Sequence, residues 1–182
     1  LDYMTWPDSE RWEIIDGIAY DMSPAPNIDH QNILGNLFFY LKSVLKVKPC
    51  KLMIAPTDVI LSDDNVVQPD ILVVCDPQKI TPKNIQGAPD LVIEILSPST
   101  STKDQREKKY LYEKYGVREY LIVDPEAKHV VRFCLSENSR FDHGEIFDSQ
   151  QSLPLRSLEN LKIPLWDIFE VERIVKTSDA KG

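Results

Sequence analysis

Three charged residues, Asp70, Glu94 and Lys108, stand where the surrounding sequence calls for apolar ones. Asp70 sits in Val66-Val67-Gln68-Pro69-Asp70-Ile71-Leu72-Val73-Val74. Alternation along a strand puts it on one face with Leu72 and Val74. An unpaired carboxylate there costs several kcal/mol or shifts its pKa. Glu94 lies in Leu91-Val92-Ile93-Glu94-Ile95-Leu96, a run apolar on both faces. Such a strand is buried on both sides, so its Glu needs a cation, a hydrogen-bond network or a metal. Lys108 shares a helical stripe with Asp104, Leu111, Tyr112 and Tyr115, which carries it inward. Taken singly, each residue has an ordinary reading as a turn residue, a structural ion pair or a surface pair. Two carboxylates and a lysine, all set against an apolar pattern, point together to one site.

The elements that must position them follow from periodicity and turn chemistry. Residues 12–21 read as strand, with Asp16-Gly17 as a hairpin turn. Asn27 is placed to cap a helix over 28–46, whose stripe includes Ile33, Leu37, Leu41 and Leu45. Strands over 52–61 and 66–75 flank the polar turn Ser62-Asp63-Asp64-Asn65, which predicts an antiparallel hairpin. Pro69 removes a ladder donor, so an edge or bulge is expected there. Further strands are expected over 90–96, 119–123 and 129–135, with another near 145–147. A second helix over 103–115 ends at Gly116, and a short helical piece falls near 165–169. Lys109 and Glu113 are expected on the solvated face of the second helix. The whole reads as α/β, one mixed sheet with two principal helices. The expected organisation is a single domain over 1–175 and a polar tail over 176–182.

The 182 residues suffice for a core without disulfides. No apolar run reaches the ~18 residues of a membrane helix, and residues 1–10 carry no signal-peptide pattern. The cysteines Cys50, Cys75 and Cys134 are odd in number and widely spaced, and read as reduced residues of a cytoplasmic protein. The net charge of -8 argues against a general polyanion binder, although a local metal site tolerates acidic surroundings.

Pro69-Asp70 followed by Glu94-Ile95-Leu96 resembles the PD-(D/E)XK nuclease superfamily, with Leu96 where the motif lysine is expected. The chain is similar to its large bacterial branch of putative restriction endonucleases. That likeness rests on Trp12-Glu13-Ile14-Ile15-Asp16-Gly17, His30, Val67-Gln68-Pro69-Asp70, Pro89 to Ser99, Asp104, Glu107-Lys108, Tyr112, Gly116-Val117 and Glu119 to Pro125. It covers roughly residues 3 to 170. The resemblance implies a restriction-endonuclease-like core, a central mixed sheet flanked by helices. It also implies a lysine supplied by the next helix, Lys108. It further implies a magnesium site (manganese as a substitute) held by Asp70, Glu94 and the Ile95 carbonyl. Glu13, His30 and Tyr112 are auxiliary candidates. DNA is the implied substrate and a homodimer the implied assembly. A nuclease fold kept for DNA binding or assembly, without catalysis, is the competing expectation; a hydrolase acting on another phosphoester is a third.

Overall fold

A computed structural model describes residues 11–22, 26–97, 104–159 and 161–174. The chain opens with a hairpin of β1 (Trp12–Ile15) and β2 (Ile18–Asp21). The turn between them places Asp16 and Gly17 at positive φ, the conformation that an Asp-Gly pair supplies. Helix α1 (Ile28–Val44) follows, with the Asn27 side chain accepting the His30 N–H as its cap. Ile33, Leu37 and Leu41 form its buried stripe.

The two strands expected over 52–61 and 66–75 are each divided. The first becomes β3 (Lys51–Ile54) and β4 (Val59–Ser62); the second becomes β5 (Asn65–Val67) and β6 (Ile71–Val74). The pairing is antiparallel throughout, as the polar turn predicts, but β4 and β5 lie in one sheet and β3 and β6 in another. The expected break at Pro69 is where β5 gives way to β6. A residue without an N–H cannot continue a ladder, and the chain leaves the sheet there.

The single sheet expected from the sequence is therefore two main sheets. The first runs β2-β1-β5-β4-β7, where β7 is Ile85–Gln86. The second has six strands in the order β11-β10-β9-β8-β6-β3. Its further members are β8 (Leu91–Ile95), β9 (Glu119–Asp124), β10 (His129–Cys134) and β11 (Glu145–Asp148). Strands β8 and β9 are parallel neighbours, linked through the helical segment that carries Lys108. A two-stranded ribbon, β12 (Ser152–Pro154) with β13 (Lys162–Pro164), and α3 (Leu165–Ile168) complete the described fold.

Alternation along β8 divides the core. Leu91, Ile93 and Ile95 pack with α1, while Val92 lies in a second cluster with Leu111, Tyr112 and Tyr120. Glu94 projects on that second side.

The helix expected over 103–115 is in two parts among the described residues. Asp104–Lys108 is one turn of π-helix, and α2 (Lys109–Tyr115) continues from it. Such turns occur where a side chain must be re-aimed, often at functional sites. Gly116, at φ 85°, closes α2, its N–H donating to Tyr112 and Glu113 carbonyls. The outer face of α2 departs from expectation. Lys109 lies 4.0 Å over the Phe133 ring, and Glu113 accepts the Phe141 N–H and pairs with Arg140.

The cysteines also require a correction. Cys50 and Cys75 are joined by a disulfide, and only Cys134 is free and buried. The register explains the pairing. Lys51 opposes Val74, so Cys50 and Cys75 meet one step further along the β3–β6 ladder, with Cα atoms 3.9 Å apart.

Candidate functional site

Lys108 is the centre of the site. The π-turn aims its ammonium into the protein, where it is almost wholly enclosed. Nζ lies 2.7 Å from Glu13 Oε1, 2.8 Å from Glu94 Oε1 and 3.5 Å from Asp104 Oδ1. Tyr112, one turn later on α2, donates its hydroxyl to Glu94 Oε1 at 2.7 Å. Asp104 is held in turn by its backbone, whose carbonyl accepts the Tyr120 hydroxyl at 3.0 Å.

The crossing between the sheets organises the acidic side. Gln68 N–H donates to Glu13 Oε1 at 3.0 Å, and Asp70 N–H approaches Glu94 Oε2 at 3.4 Å. Pro69 between them brings no N–H, so the crossing segment buries no orphan donor at that point. Asp70 Oδ2 accepts the Ile95 N–H at 2.8 Å and lies 3.1 Å from His30 Nε2. The Asn27 cap fixes His30 in the first turn of α1. His30 Nδ1 is buried without a hydrogen-bond partner among the described residues.

The electrostatics follow from burial. Glu94 is pushed up to about 8 by burial, against the pull of Lys108 and with further upward pressure from Asp104, Asp70 and Glu13. Burial works against the Lys108 ammonium, but Glu13 and Glu94 outweigh it and hold its pKa well above the ordinary lysine value. Burial, with Glu94 alongside, raises Tyr112, so its hydroxyl keeps its proton and remains a donor. Glu13, Glu94 and Asp104 thus surround one fixed ammonium, with Asp70 beside Glu94, an excess of acidic groups that favours a further cation.

Among the described residues no three or more His, Cys, Asp or Glu side chains are arranged to hold a metal by themselves. The donors present still fit magnesium, which commonly takes one or two carboxylates and completes its shell with water and phosphate. Asp70, its side chain 19% exposed, is the acidic group of the cluster that solvent reaches best. The group Ile95 visibly presents to the site is its N–H. N–H and C=O of one strand residue point to the same edge, so its carbonyl lies on the Asp70 side as well.

The structure therefore brings together Asp70, Glu94, Lys108, Glu13, His30, Tyr112 and Ile95. Sequence reasoning placed Asp104 in the Lys108 stripe without assigning it to the site, and it passed over Tyr120. Asp104 was recoverable from its spacing, four residues before an inward lysine. Tyr120, in a strand that reads as plain core, gave no signal. His129 and His143 lie outside this cluster.

Comparison with known proteins bears on the fold and the family. A crystal structure of a putative nuclease belonging to DUF820 from Anabaena variabilis superposes with a TM-score of 0.76 over 92% of this chain and 95% of that one, at 22% identity. At that identity the likeness speaks for the fold alone, a mixed α/β architecture. Uncharacterized protein slr1290 of Synechocystis sp. is 29% identical over 133 residues, 71% of this chain and 70% of the relative. Residues 1–165 match the Uma2 family, described as Putative restriction endonuclease. On that match, covering most of its length, the chain belongs to the Uma2 family.

Proposed function

We propose that this protein is a magnesium-dependent endonuclease that hydrolyses phosphodiester bonds in DNA. The observation that carries the reading is the convergence of Glu94, Lys108 and Asp70 at the seam between two sheets. Membership of a restriction endonuclease family and a nuclease-like fold support the coarser statement, a nuclease. Asp70, Glu94 and the Ile95 carbonyl would hold the metal. A bound divalent cation would supply Lewis-acid charge at the phosphate and lower the pKa of water. Lys108, kept as an ammonium, orients the attacking water or stabilises charge on the phosphoryl oxygens. Glu13 and Asp104 fix the amine, and Tyr112 fixes the Glu94 oxygen that faces it. His30 sets the orientation of Asp70.

The decisive experiment is isothermal titration with magnesium and manganese on the wild type and Glu94→Gln, followed by cleavage of supercoiled plasmid. Metal binding and nicking that disappear in the variant support the reading. Metal binding without cleavage of any nucleic acid would favour the alternative, a nuclease fold kept for DNA binding or assembly. The enclosure of Lys108 by three carboxylates is the observation on that side.

The reading extends to a homodimer that cuts both strands, tested by sedimentation. No helix among the described residues is long and apolar enough to cross a membrane. For location, the disulfide argues against the cytoplasmic expectation, since such bonds are rare in the cytosol. Thiol titration of denatured protein, trapped at lysis, decides it: three thiols fit a reducing compartment, one an oxidising compartment.

A further inference from the structure

A cleft of about 440 Å³ opens beside the carboxylate cluster. It falls in the size range of small-molecule sites, ~300–1,000 Å³. Its floor includes Leu96, Ile122 and Val131, and its rim carries Lys109, Asp124 and His129. The floor is continuous with the site. Ile122 is the direct partner of Glu94 across the β8–β9 ladder, and Leu96 follows Ile95, whose N–H holds Asp70. The position that carries lysine in the PD-(D/E)XK pattern is thus an apolar wall.

The rim groups are fixed in place. Lys109 is adjacent to Lys108 in sequence and sits over the Phe133 ring at 4.0 Å, a cation–π contact that holds the ammonium at the mouth. Asp124 Oδ1 accepts the Glu126 and Ala127 N–H groups of the following turn, which sets its carboxylate at the rim. An apolar lining that also carries an ammonium, a carboxylate and an imidazole suits a ligand with an apolar face, a hydrogen-bonding edge and an anionic group. A nucleotide has these three parts: a base for the apolar lining, an amino edge for Asp124 or His129, and a phosphate for Lys109.

We infer that the cleft receives the nucleoside adjoining the scissile phosphate, and so positions the substrate strand. The inference rests on the nuclease reading for its substrate but makes a separate claim about binding. The test is NMR titration of the full chain with deoxynucleoside 5′-monophosphates, following Ile122 and Val131 methyls and the His129 ring. Those signals shift, and both Val131→Phe, which fills the cleft, and Lys109→Gln weaken binding by about tenfold or more. Both variants keep the wild-type magnesium titration. Two results overturn the inference: no shift at these residues at about 10 mM nucleotide, or unchanged affinity in both variants. If nucleotide binds at the cleft while metal binding and cleavage are absent, the cleft stands and the nuclease reading falls.

Discussion

Two glutamates lie buried on neighbouring parallel strands, and they are satisfied in opposite ways. Glu119, opposite Leu91 across the β8–β9 ladder, accepts the Arg156 N–H and both the N–H and hydroxyl of Ser157, at 2.6–3.0 Å. Backbone and hydroxyl donors from one loop close around it. Glu94, three residues along β8, is held instead by an ammonium and a phenol, beside further carboxylates and a solvent-touched Asp70. The first arrangement ties a loop to the sheet. The second gathers like charges and leaves one edge open, an arrangement suited to a cation and a substrate. A buried carboxylate by itself therefore tells little; the chemistry lies in whether its partners are neutral donors or other ions.

The largest effect that would sharpen this contrast comes from Lys108→Met. It leaves buried carboxylates without their cation, costing about 3–5 kcal/mol, and it lowers plasmid cleavage by ~100-fold or more. Denaturant melts and nicking rates read the two effects. Glu119→Ala comes next and separates the regions. It strands three donors and costs on the order of 3 kcal/mol, while magnesium affinity, measured below the melting transition, stays at the wild-type value. A collapse of metal binding in that variant would dissolve the distinction. His30→Ala removes the Asp70 partner and weakens magnesium by about 10–100-fold, with little change in the melting temperature.

The pH dependence of stability separates the glutamates more finely. Glu94 is raised to about 8 from an ordinary 4.5, so the folded chain holds more protons than the unfolded chain between those values. Its contribution is complete below about 4.5 and is lost as pH rises through about 8. Urea midpoints in Glu94→Gln therefore lose a downward slope across that window that wild type shows. The smallest effect uses Cys134, whose Sγ is 4.0 Å from Glu119 Oε1. Burial, then Glu119, pushes its thiol up to about 11. Iodoacetamide labelling of native protein at pH 8 is correspondingly slow, and Glu119→Gln speeds it modestly.

Much of this was legible in the residues. Glu94 and Lys108 announced themselves by breaking an apolar pattern, and the inward stripe on α2 follows from helical spacing alone. Glu119 was missed because it stands at the start of its strand, where a polar residue breaks no rule. The division into two sheets was hidden for a related reason. Pro69 marks a break within 66–75, as expected, but only tertiary pairing shows that the chain changes sheets there rather than bulging. The disulfide was equally invisible, because register, not spacing, brings Cys50 to Cys75.

The crossing at Pro69 has a consequence for how the molecule assembles. Glu13 arrives on the five-stranded sheet and Glu94 on the six-stranded one, while Lys108 comes from the connection after β8. No local segment contains the cluster, so its loop-closure cost is met only as the two sheets dock. The mutual repulsion of the acidic groups is felt at that same late moment. Docking thus meets an electrostatic barrier that Lys108 lowers, and the cluster is complete only when both sheets and the helical connection are in place.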